Sequence, residues 1–105
     1  MKPREGTVTQ DELRIYTVKP GVMAIWVGEW KDRIRPLRQK FGFEIVGPWI
    51  DEKHNQFIWI LRYHGPGTYE AANAAYYESA ERQALDPDPA RHLAKTEHRP
   101  IRPVT

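Results

Sequence analysis

Residues 55–63, NQFIWILRY, decide the fold. Side chains alternate across an extended strand. Phe57, Trp59, Leu61 and Tyr63 therefore share one face, while Ile58 and Ile60 share the other, followed by Arg62. Both faces are bulky and apolar from Phe57 to Leu61, so this strand belongs in the middle of a sheet. Each large aromatic left uncovered would keep about 150–250 Å² in water, and both faces therefore need a cover.

The neighbouring segments supply one of the two covers. Before this strand, Phe43 to Ile50 reads as another strand, joined to it by the hairpin loop DEKHN. Pro48 cannot donate to a ladder, which places that strand at an edge or at a bulge. ELRIYTV, residues 12–18, alternates with Leu13 and Ile15 on one side and Arg14, Tyr16 and Val18 on the other. From Val22 the period changes to one helical stripe of Val22, Trp26, Trp30, Ile34, Leu37 and Phe41. Lys31, Asp32, Arg35, Arg38 and Gln39 are expected on its solvent face. Pro36 predicts a kink or a split near Asp32 to Arg35.

After the strand, Thr68 is a good N-cap for a helix over TYEAANAAYYESAERQAL. Asp86-Pro87-Asp88-Pro89 breaks that helix, and Asp88 caps a short turn. EHRPIRPVT, residues 97–105, reads as a last strand, confined by Pro100 and Pro103 to an edge. Strand, helix, strand, strand, helix, strand is the α+β, ferredoxin-like order. It gives a four-stranded antiparallel sheet with two helices on one face. Residues 1–10 are expected to be a flexible tail, and residues 11–105 the single domain.

Two helices leave the second face bare, and a contiguous apolar patch of that kind marks a binding surface. Nucleic acid is one possible cover. QKFGFEIVG, residues 39–47, resembles the aromatic–glycine–aromatic strand of RNA-recognition domains. In those domains the signature lies on the third strand, whereas here it joins the first helix to the second strand. The plainer reading is a helix end, with Gly42 in the left-handed conformation after it. Net charge is only +2, from 16 basic and 14 acidic residues, and phosphate binding wants a larger surplus. A second copy of the same sheet, packed by a two-fold axis, needs no such surplus, and a homodimer is expected. No window reaches the roughly 18 apolar residues of a membrane span. There is no cysteine and no apolar stretch of a secretory signal, so a cytoplasmic protein is expected.

These segments together resemble the NIPSNAP family, whose members belong to the dimeric α/β-barrel superfamily. The resemblance rests on Glu12-Leu13-Arg14, Tyr16, Pro20-Gly21, Gly42-Phe43, Val46-Gly47, Trp49, Asn55-Gln56 and Tyr63. At the third strand, where relatives often carry a histidine and then a tryptophan, this chain has Trp59 and Leu61. The resemblance implies a dimer of two sheets with helices outside, and a biochemical role that is unassigned. Related barrels include cofactor-independent monooxygenases and isomerases, a relation of fold rather than of function.

Candidate site residues are few. Arg14 and Tyr16 share a face beside Trp59, and would suit a ligand with a carboxylate or carbonyl and an apolar body. The plainer reading pairs Arg14 with Glu12 or with an acid of a partner chain. Trp26 is a further candidate on the helix, against the plainer reading of a core tryptophan. Trp59 itself either lines a pocket or lies under the helices. Of the four histidines, His64 is the best general-base candidate, since it ends the third strand; the plainer reading is a surface histidine. His54, His92 and His98 read as solvated. None of the four has metal-ligand spacing, and neither a metal nor a cofactor is expected. A ligand site would appear as a cavity of several hundred Å³ with Arg14 or His64 on its wall. The expected role is small-molecule binding. The alternatives are a monooxygenase- or isomerase-like enzyme without cofactor, and an interaction module with a packed interior.

Overall fold

The computed structural model describes residues 10–104. Strands β1 (Gln10–Val18), β2 (Phe43–Asp51), β3 (Gln56–Tyr63) and β4 (Leu93–Ile101) form one antiparallel sheet in the order β2-β3-β1-β4. This is the expected ferredoxin-like α+β arrangement. β3 lies inside the sheet, as its two apolar faces require. Of the expected tail, only Gln10 falls among the described residues, and it opens β1.

The prolines sit where a missing donor is tolerated. Pro48 lies on edge strand β2, within a bulge where pairing to β3 shifts between Val46 and Trp49. Gly47 there has φ +100, and the Trp49 ring lies so close that a Cβ would stand 2.7 Å from it. Pro100 lies on the other edge strand, β4. That strand begins at Leu93, earlier than the expected Glu97, and ends at Ile101, before Pro103. An edge strand pairs on one side only, so its side chains are largely exposed and carry little apolar periodicity to mark where it begins.

The first helix is split, as Pro36 predicts. α1 (Met23–Glu29) runs into a π turn, Trp30–Ile34, and then α2 (Arg35–Lys40). The Arg35 amide bonds back to the Trp30 carbonyl, five residues away. Such a turn holds one more residue than an α turn, and it rotates everything after it. Arg38, expected on the solvent face, is consequently buried at 1% exposure, while Leu37 is only partly buried. Gly42, at φ +92, ends the helix as expected.

Thr68 caps α3 (Tyr69–Glu78), its hydroxyl accepting from the Ala71 amide at 3.1 Å. The helix does not continue to Leu85. Ser79 takes an extended conformation and caps a separate turn, α4 (Ala80–Gln83), accepting from the Arg82 amide at 3.0 Å. Serine competes well for this role because its hydroxyl replaces a missing backbone partner. Asp88 caps the 3₁₀ turn Pro89–His92 in the same way, accepting from the Ala90 amide.

The core between helices and sheet is aromatic. Trp26 meets Phe57 edge to face at 5.6 Å, and Trp30 meets Trp59 at 5.3 Å. Tyr16 meets both Trp26 and Trp59 at 5.8 Å. Each such pair adds about 0.5–1.5 kcal/mol beyond its burial. On the opposite sheet face lie Leu13, Ile15, Val46, Ile58 and Ile60. Among the described residues no helix covers that side.

Candidate functional site

The register of β1 places the polar cluster. Arg14 sits opposite Trp59 on β3 and His98 on β4; Tyr16 sits opposite Phe57 and Thr96. These side chains point towards the helices, so Arg14 is fully buried under α3. All five of its N–H donors are engaged. Nε donates to Glu12 at 2.8 Å. Nη1 donates to the Tyr16 hydroxyl at 2.9 Å and the Tyr77 hydroxyl at 3.0 Å. Nη2 donates to the Tyr69 hydroxyl and to Asn73 Oδ1, both at 3.2 Å. The pairing of Arg14 with Glu12 is therefore present within one chain.

The π turn brings a second guanidinium to the same place. Arg38 donates to Asn73 Oδ1 at 2.8 Å and to the Tyr77 hydroxyl at 3.2 Å. It stacks on Tyr76, 3.8 Å from the ring centroid. Of the two buried cations only Arg14 has a carboxylate, Glu12; Arg38 has no acidic partner among the described residues. Burial, and then the charge of Arg14, push the Arg38 pKa down from its ordinary value.

The tyrosines divide by what surrounds them. Burial pushes the Tyr16 and Tyr69 phenols up. Burial acts on Tyr77 in the same direction, but Arg14 and Arg38 together outweigh it and hold that phenol below its ordinary value. His98 is held down by burial and by Arg14, which favours the neutral imidazole.

Beside this cluster lies a cavity of about 130 Å³. Tyr16, Trp26, Trp59, Arg38 and Tyr77 form its inner wall; Ala90, Leu93, Thr96 and His98 lie on the β4 side. Three of the four ligand candidates, Tyr16, Trp26 and Trp59, are brought together here. Arg14 stands behind the wall and acts on it through Tyr16 and Tyr77. His64 lies elsewhere, exposed, with Nε2 at 2.7 Å from Glu44. The cavity is smaller than the several hundred Å³ expected, because the tryptophans fill much of the space; it holds the liquid volume of roughly four waters. A more open depression of about 330 Å³ lies at the Glu12 and Pro100 end of the sheet, and none of the candidates lines it.

The wall has one chemical bias. Trp26 Nε1, Trp59 Nε1, Arg38 Nε and Arg82 Nε are buried without an acceptor among the described residues. All four are donors. Buried donors normally find partners, and their absence here calls for an explanation. No group of three or more His, Cys, Asp or Glu side chains converges on a metal position among the described residues.

Arg38, Asn73 and Tyr77 escaped sequence reading. Their signals are present: Arg38 extends the four-residue steps Trp26, Trp30, Ile34, and Tyr69, Asn73 and Tyr77 follow the same step on α3.

The family model for NIPSNAP matches residues 11–105. The chain belongs to the NIPSNAP family. An uncharacterized NIPSNAP domain protein from Burkholderia xenovorans shares 16% identity, with a TM-score of 0.79 over 90% of this chain and 94% of that one. A NIPSNAP family protein from Agrobacterium tumefaciens shares 17%, with a TM-score of 0.81 over 92% and 94%. An antibiotic biosynthesis monooxygenase-like protein from Bordetella bronchiseptica shares 17%, with a TM-score of 0.75 over 92% and 98%. At such identities the likeness is one of fold. No curated protein matches the sequence. The biochemical role of the NIPSNAP family is unknown, and no helix among the described residues is long and apolar enough to cross a membrane.

Proposed function

We propose that this NIPSNAP protein is a homodimeric, cytoplasmic binder of a small molecule. The ligand carries an electron-rich oxygen, as in a carbonyl or carboxylate, on an apolar body. One observation carries the reading: side chains that line the cavity hold buried donors without acceptors, backed by a guanidinium without a counter-charge. A ligand acceptor would satisfy those donors, and the tryptophan faces would hold its apolar part. The small volume is consistent with a ligand that enters only in part and reaches out past Leu93 and Thr96. Dimerisation is supported by the uncovered aliphatic face of the sheet.

The test is tryptophan fluorescence, since Trp26 and Trp59 line the cavity. Titration with small aromatic carboxylates and phenols is expected to give a saturable change. Light scattering at micromolar concentration is expected to find two copies per particle. A monomer whose fluorescence responds to none of these compounds would overturn the reading. A dimer equally unresponsive would leave the interaction module.

A second reading is a monooxygenase- or isomerase-like enzyme without cofactor. Tyr77 favours it, as a cavity-wall phenol held between two guanidiniums. Loss of turnover on Tyr77→Phe, with binding retained, would support it.

A further inference from the structure

We propose that the Tyr16 and Tyr77 hydroxyls form a two-donor clamp for a single oxyanion, and that the ligand is an acidic phenol or enolisable carbonyl compound held as its anion. The proposal rests on the ligand-binding reading and names the ligand's class.

The geometry begins at one nitrogen. Arg14 Nη1 has two N–H groups, and it donates to Tyr16 at 2.9 Å and to Tyr77 at 3.0 Å. Both hydroxyl oxygens are thereby fixed as acceptors, within reach of the same atom. A hydroxyl that accepts from a cation turns its own hydrogen away from that cation. Arg38 Nη2 takes the second lone pair of Tyr77 at 3.2 Å, which leaves that hydroxyl only its donor function. Neither hydroxyl hydrogen has an acceptor among the described residues, although Tyr69 gives its hydrogen to Glu12. Tyr16 and Tyr77 both line the cavity. Both residues border the same space, and in the proposed clamp their two free O–H groups point into it.

Charge then selects the ligand. Arg14 has Glu12, and Arg82 has Asp88 at 3.1 Å. Arg38 has no carboxylate among the described residues, so the site carries one positive charge in surplus. An anion restores neutrality, whereas an amine or a metal cation adds to the excess. The form of the anion follows from which donors remain. All five N–H groups of Arg14 are engaged, so a fork to both oxygens of a carboxylate could come only from Arg38, whose Nη groups are already turned to Asn73 and Tyr77. Two phenol hydroxyls suit one oxygen, as in a phenolate or an enolate. Each guanidinium N–H drawn to a phenol oxygen also strengthens the acidity of that phenol's hydrogen.

The experiment uses the full chain and 4-nitrophenol, whose absorbance reports its own ionisation. The expected result is saturable binding with the bound probe's titration shifted to lower pH, the phenolate binding roughly tenfold or more tighter than the phenol. Tyr77→Phe and Tyr16→Phe are each expected to reduce that preference roughly tenfold, with unchanged near-ultraviolet circular dichroism as the check on folding. 4-Nitrobenzoate is expected to bind more weakly than 4-nitrophenolate. Binding with an unshifted titration, or a shift untouched by both folded variants, would overturn the clamp while leaving a small-molecule site. A carboxylate preferred over the phenolate would overturn the single-oxygen assignment. No saturable response to either probe would overturn the clamp together with the reading beneath it.

Discussion

The two faces of the central sheet use the same strands for opposite purposes. Towards the helices, β1 and β3 present Arg14, Tyr16, Phe57 and Trp59, which are aromatic or charged and no more than 5% exposed. Away from the helices the intervening positions are Leu13, Ile15, Ile58 and Ile60, which are aliphatic and only partly buried. Ordinary experience would put the charge outside and the plain hydrocarbon inside. The reversal teaches that the covered face is more than packing. A buried guanidinium costs several kcal/mol unless its donors are met, and here a set of tyrosines and an asparagine is arranged to meet them. In the proposed dimer, the bare face carries the association.

Substitution can break this contrast first on the covered side. Trp59→Ala or Arg14→Met is expected to cost about 3–5 kcal/mol in denaturant unfolding, by leaving a cavity or by orphaning Glu12 and its partner hydroxyls. Ile58→Thr, one residue from Trp59, should cost about 1 kcal/mol or less at concentrations where the chain is monomeric. Equal costs at the two neighbours would erase the difference between faces. On the bare side, Leu13→Thr with Ile60→Thr, a cross-strand pair, is expected to weaken the dimer roughly tenfold or more by light scattering. The tryptophan environment should be retained; an unchanged dimer would move the interface elsewhere.

A smaller effect sharpens the comparison within the covered side. In an ultraviolet titration of the five tyrosines, one is expected to ionise below the ordinary value of 10.0, and Tyr77→Phe should remove that phase. Burial raises Tyr16, Tyr69 and Tyr76. For these three the unfolded chain loses its protons first. Their contribution to stability is therefore complete below pH 10 and fades as pH rises towards their folded values. Stability that rose steadily above pH 10 would contradict the burial of this group.

Much of this architecture was legible in the residues. Alternation in NQFIWILRY, Pro36, Pro48, Gly42 and Thr68 each act locally, and each local rule agreed with the fold. Ser79 was misread because alanine-rich helix propensity over the whole stretch masked a hydroxyl able to start a new turn. Arg38 was misread for a different reason. Its charge, within the basic run Lys31 to Lys40, reads as a solvated face, and the phase that turns it inward depends on a π turn that no propensity announces. The candidate site was half legible: Tyr16, Trp26 and Trp59 followed from their strand and helix faces. The partners that give Tyr16 its chemistry come from α2 and α3, and only tertiary packing brings them together.

The unpaired donors beside the cavity have a practical corollary. A recess whose unmet buried groups are all N–H donors would favour visitors that bring an acceptor. Chloride, acetate and phosphate in a buffer would enter the same contest as any physiological occupant. Affinities measured to test the proposed binding should accordingly be compared only at matched salt composition, since a preparation rich in small anions would compete with the proposed ligand.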